Sequence, residues 1–183
     1  MRKYVIMGVQ GSGKGTQSAR LCEAFGLEHI SVGDIFRWNI AHHTKLGAQV
    51  RRLVDAGHLV SDDIVASVVR DRLEQHDWNH GFVVDGFPRN VAQAQALNDA
   101  VVDAIGTVIL LEADTDELVA RLVKRADEEG RADDNEETIR RRLEIYQRET
   151  APLVEHYGSA VTRIDGVGTI DEVFSRIALA LAG

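Results

Sequence analysis

The segment Gly8-Val9-Gln10-Gly11-Ser12-Gly13-Lys14-Gly15-Thr16 brings together the residue types that hold an anion. Closely spaced glycines let successive backbone N–H groups turn inward without Cβ clashes, and the lysine adds a point charge. Placed between a strand and a helix, such a turn is a cradle for a polyphosphate. It departs from the strict G-x-x-x-x-G-K-[ST] spacing, because Gly15 follows the lysine and the hydroxyl arrives one residue later on Thr16. A metal is therefore expected to be held more by phosphate and water than by a direct hydroxyl ligand. The same stretch contains G-x-G at Gly11 and Gly13, with Asp34 downstream, which is the start of a dinucleotide-binding fingerprint. That alternative wants a third small residue where Thr16 stands and has no use for Lys14.

A phosphate–metal site also needs an acid, and Phe82-Val83-Val84-Asp85 supplies one at the carboxyl end of a buried strand, where it can orient metal-bound water. The arginines supply the remaining positive charge. After Asp114, Leu118, Arg121, Leu122 and Arg125 fall on one helical stripe, and Ile139, Arg142, Leu143 and Tyr146 fall on another. An arginine on an inward stripe must meet an anion, and substrate phosphate suits its fork. Arg141 and Arg148 are read instead as surface partners of nearby glutamates.

The elements that position these groups follow from hydrophobic pattern. Tyr4-Val5-Ile6-Met7, Phe82-Val83-Val84 and Val108-Ile109-Leu110-Leu111 are continuous apolar runs, as strands buried on both faces should be. Glu28-His29-Ile30 and Val161-Thr162-Arg163-Ile164 are weaker strands. Helical segments alternate with them, so the fold class is α/β, a three-layer α/β/α arrangement on a five-stranded parallel sheet. From Asp34 to Leu73 two or three helices are expected in place of a single crossover, an inserted flap. The polar stretch 126–135 reads as a loop, with Asp134 and Glu137 spaced like a capping box at its end.

Composition sets the outer limits. The 183 residues suit one domain, 44% of them hydrophobic and 27% charged. The net charge of −8 argues against a nucleic-acid or anionic-membrane surface. Its 21 basic residues are 17 arginines and only 4 lysines, an imbalance that the inward stripes partly explain. A single cysteine, Cys22, and no zinc-ligand spacing point to a reducing, cytoplasmic setting. The Met1-Arg2-Lys3 start has too short an apolar run for a signal peptide, and no run approaches a membrane span. A monomer is the expectation.

Asp85 continues as Asp-Gly-Phe-Pro-Arg, and with this the chain resembles the short-lid nucleoside monophosphate kinases with a P-loop. The resemblance is carried by Gly-Ser-Gly-Lys-Gly-Thr-Gln (11–17), His-Ile-Ser-Val-Gly-Asp-Ile-Phe-Arg (29–37), Asp-Ala-Gly-His-Leu-Val (55–60), Gly-Phe-Pro-Arg (86–89), Gly-Arg-Ala-Asp-Asp-Asn (130–135) and Glu-Thr-Ile-Arg-Arg-Arg-Leu (137–143). It implies magnesium-dependent transfer of the ATP γ-phosphoryl group to a nucleoside monophosphate, normally AMP, giving ADP. By the family pattern Gly11, Ser12, Gly13, Lys14, Gly15 and Thr16 cradle the ATP phosphates, with Lys14 following the transferred group. Arg121 and Arg125 face ATP phosphates, and Gly168 touches its adenine. Val32, Arg37, His58, Leu59, Val60, Gly86, Phe87, Pro88, Arg89 and Gln93 belong to the acceptor site. Arg131 and Arg142 straddle both substrates, and Asp85 reaches the metal through water. The flap becomes 31–60 and the lid 126–135.

Two positions depart from the pattern. Gln10 stands where the family usually has proline, and Val32 where AMP-specific members have threonine. Val32 and Asn90 resemble the UMP/CMP enzymes, whereas the Gln93 amide can donate and accept together, as adenine requires. AMP is the favoured acceptor, with UMP, CMP or another nucleoside monophosphate as the alternative. Neither a switch GTPase, which needs an Asn-Lys guanine motif absent here, nor a non-catalytic nucleotide binder accounts for Arg37, Arg89, Arg131 and Arg142 together.

Overall fold

The computed structural model describes residues 2–74, 80–100, 105–114, 118, 121–122 and 136–182. The apolar run after Arg2 forms β1 (Arg2–Gly8), the centre of a five-stranded parallel sheet with β2 (Glu28–Ser31), β3 (Gly81–Asp85), β4 (Thr107–Glu112) and β5 (Val161–Asp165), in the order β2-β3-β1-β4-β5. All five strands lie where the sequence pattern puts them. The helices whose bounds fall among the described residues are α1 (Lys14–Phe25), α2 (Val32–Ala41), α3 (Lys45–Asp55), α4 (Asp62–Glu74), α5 (Val91–Ala100), α6 (Glu136–Ile145), α7 (Leu153–Tyr157) and α8 (Ile170–Ala182), with a π-helical turn at Tyr146–Thr150 and a 3₁₀ turn at Gly158–Ala160. Between β2 and β3 the chain makes three helices.

Alternation along the strands divides the core into two. Val5, Met7, Val84, Val108 and Leu110 face one side, where Phe36, Val50, Val65, Leu97 and Leu153 from α2, α3, α4, α5 and α7 cover them. Tyr4, Ile6, Val83, Ile109 and Leu111 face the other, against Leu21 of α1 and Val173 and Ile177 of α8. This is the three-layer arrangement that period-two side chains impose on a sheet buried on both faces. Cys22 packs against the second cluster, and burial pushes its thiol up to about 12, so it stays a neutral packed side chain. No helix among the described residues is long and apolar enough to cross a membrane.

Helix starts are set by local side chains. Ser31 Oγ accepts from Asp34 N, Thr44 Oγ1 from Gly47 N at 3.0 Å, and Asn90 Oδ1 from Gln93 N at 2.8 Å, each satisfying a donor in a first helical turn. Asn90 is thus a capping residue of α5. The two prolines stand at breaks, Pro88 behind a cis peptide after Phe87 and Pro152 at the start of α7. The connection leaving β1 packs α1 on one face of the sheet, and that leaving β3 packs α5 on the other. The chain therefore parts between two adjacent strand ends, where open α/β sheets form their ligand crevice.

Candidate functional site

Over these strand ends lies a cleft of about 690 Å³. Its floor is the loop between β1 and α1. Gly11 (φ 85°) and Gly13 (φ 94°) adopt left-handed backbone that a side chain resists, which turns the loop back over the start of α1. Lys14 Nζ crosses the loop to donate to the Val9 carbonyl at 2.9 Å. The Ser12 hydroxyl is buried and has no hydrogen-bond partner among the described residues, a donor suited to an anion entering the loop. Asp85, in register between Ile6 and Ser31, is only 8% exposed. Its carboxylate lies against the same loop, so that a Cβ on Gly15 would stand 3.5 Å from Asp85 Oδ2.

The cleft collects Gly11 to Thr16, Arg37, Leu59, Asp85, Gly86, Phe87, Pro88, Arg89, Arg121, Arg142 and Gly168. A smaller pocket of about 40 Å³ opens beside Arg37, Arg89 and Arg142 and adds Val32, His58, Val60 and Gln93. Arg125, Arg131, Asp133, Asp134 and the stretch 126–135 lie outside the described residues. Every other residue singled out from the sequence as a site residue therefore borders one of two connected spaces.

Five cations, Lys14, Arg37, Arg89, Arg121 and Arg142, face two carboxylates, Asp34 and Asp85, in this lining. Arg89 reports the imbalance. Burial, then the positive field of Arg142, pulls its guanidinium down from the ordinary arginine value to about 10; Asp85 opposes the fall and Arg37 adds to it. The group still carries its charge at neutral pH, and an anion placed among these arginines would relieve the repulsion. Arg89 is also fixed in place. Its Nε donates to the Gly86 carbonyl at 2.9 Å, its backbone N–H to Gln93 Oε1 at 2.8 Å, and its carbonyl accepts from Thr150 Oγ1 at 2.8 Å. Arg37 pairs with Asp34. Burial would raise the Asp34 carboxyl, but the Arg37 hydrogen bond and charge, with Ser31 and His29, hold it below its ordinary value.

The arginine stripes behave as the helical period implies. Leu118 and Leu122 are buried while Arg121 reaches the cleft and donates to the Gly166 carbonyl at 3.0 Å. Ile139 is buried while Arg142 and Tyr146 line the cleft. Arg141 corrects one expectation. It pairs with Glu137 at 2.7 Å as a surface arginine would, but its other arm donates to the Ala56 carbonyl at 2.8 Å, tying α6 to the turn after α3.

At that turn Gly57 (φ 72°) lets the two segments meet, since a Cβ there would stand 2.7 Å from Thr138 Cγ2 and 3.2 Å from Arg142 Cγ. A Gly57→Ala substitution combines backbone strain with this overlap, of order 1–3 kcal/mol. It is expected to lower the unfolding midpoint by a few degrees, read by thermal melting, and to separate the turn from Arg142.

Sequence reasoning missed Thr150, Asp62 and the π-helical turn. Thr150 is the distal anchor of Arg89, and it reaches that position because Tyr146–Thr150 widens by one residue, with Ala151 N donating to the Tyr146 carbonyl at 2.8 Å. Hydrophobic period does not announce such a turn. Asp62 accepts from the Gln93 side chain at 2.7 Å, a contact between segments far apart in sequence.

Among the described residues no group of three or more His, Cys, Asp or Glu side chains could cage a metal. One hard carboxylate beside a phosphate-type loop fits an ion that keeps most of its water and takes its remaining ligands from phosphate, as magnesium does.

Known proteins similar to this chain agree with one another. The family described as adenylate kinase matches residues 6–162. An adenylate kinase of Kocuria rhizophila is 49% identical over 187 aligned positions, covering 99% of each chain. One of Stenotrophomonas maltophilia is 47% identical over 99% of this chain and 100% of its own. One of Clavibacter michiganensis subsp. michiganensis is 47% identical over 100% of this chain and 94% of its own.

Proposed function

The chain belongs to the adenylate kinase family and is a phosphotransferase that converts ATP and AMP reversibly into two ADP, and we propose that the cation-lined cleft holds the two nucleotides end to end for that transfer. The observation that carries the residue-level reading is the convergence of Lys14, Arg37, Arg89, Arg121 and Arg142 on one space with a smaller, mostly apolar pocket at its side.

In this reading Gly11 to Thr16 wrap the ATP phosphates with backbone N–H groups, and Lys14 leaves the Val9 carbonyl to follow the transferred group. Arg121, with Arg125 from outside the described residues, faces the ATP phosphates, and Gly168 meets its base. Arg37 and Arg89 fork the AMP phosphate, while Val32, the backbone at His58, Leu59 and Val60, and Gln93 enclose the adenine. Gly86, Phe87 and Pro88 form the wall between Asp85 and Arg89. Arg142 belongs to both spaces and, with Arg131, spans donor and acceptor. Magnesium, held through water by Asp85, supplies charge neutralisation on the ATP phosphates when bound. The attacking AMP oxygen is already anionic, so no general base is required, and the chain's work is alignment and charge compensation. The seven histidines need no catalytic part.

Water would compete for the activated phosphoryl group, and closure of the flap 31–60 and the lid 126–135 over the substrates is the proposed remedy. Exposed large apolar residues among those described are few, Trp38, Val91, Val167, Ile170 and Leu179, and fall in three stretches of the chain, which supports a monomer. The lone unpaired Cys22 supports a cytoplasmic setting.

The test is ADP formation measured with AMP, dAMP, CMP, UMP and GMP, with and without a magnesium chelator. AMP is expected to give the highest kcat/KM and the chelator to abolish turnover. Turnover with UMP or CMP far above that with AMP would overturn the acceptor assignment.

A further inference from the structure

We infer that Asp62 is a specificity-determining positioning residue, which locks the Gln93 amide in one orientation and thereby fixes the order of donor and acceptor shown to the acceptor base. The inference rests on the reading of Gln93 as a base-contacting residue.

A glutamine amide can face a ligand in two ways related by rotation about its last bond, and the two present opposite hydrogen-bonding orders. Here two neighbours of fixed polarity remove the choice. The Asp62 carboxylate accepts from Gln93 Nε2 at 2.7 Å, and a carboxylate can only accept. The Arg89 backbone N–H donates to Gln93 Oε1 at 2.8 Å, and a backbone N–H can only donate. A rotated amide would set oxygen against carboxylate and NH₂ against N–H. The amide is 2% exposed, so neither mismatch could be relieved by water. Asp62 is itself held, by Asn90 Nδ2 at 3.1 Å to Oδ1 and 3.3 Å to Oδ2, while Asn90 caps the helix that carries Gln93.

An amide nitrogen has two hydrogens and an amide oxygen two lone pairs. With one of each committed, one N–H and one lone pair remain in fixed order on a residue that lines the smaller pocket. Adenine offers a matching edge, an acceptor at N1 beside a donor at the 6-amino group. Hypoxanthine reverses both, with a donor at N1 and an acceptor at O6. A pinned amide is thus paired twice with one and mismatched twice with the other, and a buried mismatch is where polar discrimination is large.

The experiment compares AMP with inosine monophosphate as acceptors for Asp62→Ala, Asp62→Asn and Gln93→Leu. Asp62→Ala is expected to raise the KM for AMP about tenfold while kcat stays within about twofold. The AMP-over-IMP ratio of kcat/KM should fall about tenfold, because the freed amide can rotate to suit the wrong edge. Asp62→Asn, which retains an acceptor oxygen, should fall between wild type and Asp62→Ala, a graded rescue that a merely structural role would not give. An unchanged AMP-over-IMP ratio in Asp62→Ala, with the Gln93→Leu ratio collapsed, overturns the inference and leaves the Gln93 reading intact. An unchanged KM for AMP in Gln93→Leu overturns that reading instead.

Discussion

Arg142→Ala is expected to lower kcat by roughly three orders of magnitude, the scale at which a transition-state arginine contributes to phosphoryl transfer. Arg142 borders both the main cleft and the smaller pocket, and in the proposed reading its guanidinium stands where charge moves from one nucleotide to the other. The stability of the protein should respond quite differently. Arg142 is the largest charged contributor to the depressed basicity of Arg89, so its removal relieves repulsion as well as deleting packing against the Gly57 turn. The two effects oppose each other, and the unfolding midpoint should move by no more than about 2–4 °C. Steady-state kinetics and a thermal melt on the same preparation check both halves. A melt that collapses together with the activity would assign Arg142 to the scaffold.

The second large effect is a pH dependence that the wild type lacks. Arg89 sits where burial and two neighbouring guanidiniums bring an arginine down to about 10. Wild-type Arg89 therefore stays cationic from pH 6.5 to 9. The same surroundings acting on a lysine, whose ordinary pKa is about 10.4, lower it too, bringing its loss of charge closer to neutral pH. The sign follows directly: the cation binds phosphate and the free amine does not. Arg89→Lys should retain its remaining activity at the acid end of the pH 6.5–9 range and lose it towards the alkaline end, by up to about tenfold per unit. At pH 7 it should already lie about a hundredfold below wild type in kcat/KM for AMP, because a lysine cannot reproduce the bidentate fork. A pH series of kcat/KM for AMP at saturating ATP measures both. A flat profile for Arg89→Lys would mean that the lysine swings away from the other arginines.

The strands were legible because a sheet buried on both faces leaves continuous apolar runs such as Val108-Ile109-Leu110-Leu111, and even the weaker Glu28-His29-Ile30 stood in the right alternation. The loop between β1 and α1 was legible because its chemistry is local, with glycine φ values and a lysine adjacent in sequence. Arg121 and Arg142 could be placed because leucine and isoleucine stripes say which way a helix faces. Tertiary contacts were not legible. The Arg141 bond to the Ala56 carbonyl, the Thr150 bond to the Arg89 carbonyl and the Asp62 contact with Gln93 join residues between 31 and 85 positions apart, and no local rule links them. Asn90 shows the same limit. The sequence offered only its likeness to the pyrimidine enzymes, and not that its side chain caps α5 and holds Asp62.

With the substrates placed as proposed, the sheet that separates the two apolar clusters also separates the mechanical support of the two substrates. The helix following the phosphate loop rests on the Tyr4, Ile6 and Ile109 side, and the helices around the acceptor pocket rest on the Val5, Met7 and Val84 side. Packing forces act only over contact distance, so a methyl group gained or lost beneath α2 and α3 is felt by the acceptor half and barely by the donor half. A lineage moving to colder or hotter surroundings can therefore retune the looseness of the closing half by conservative aliphatic exchanges on one face, while leaving the grip on the donor nucleotide as it was.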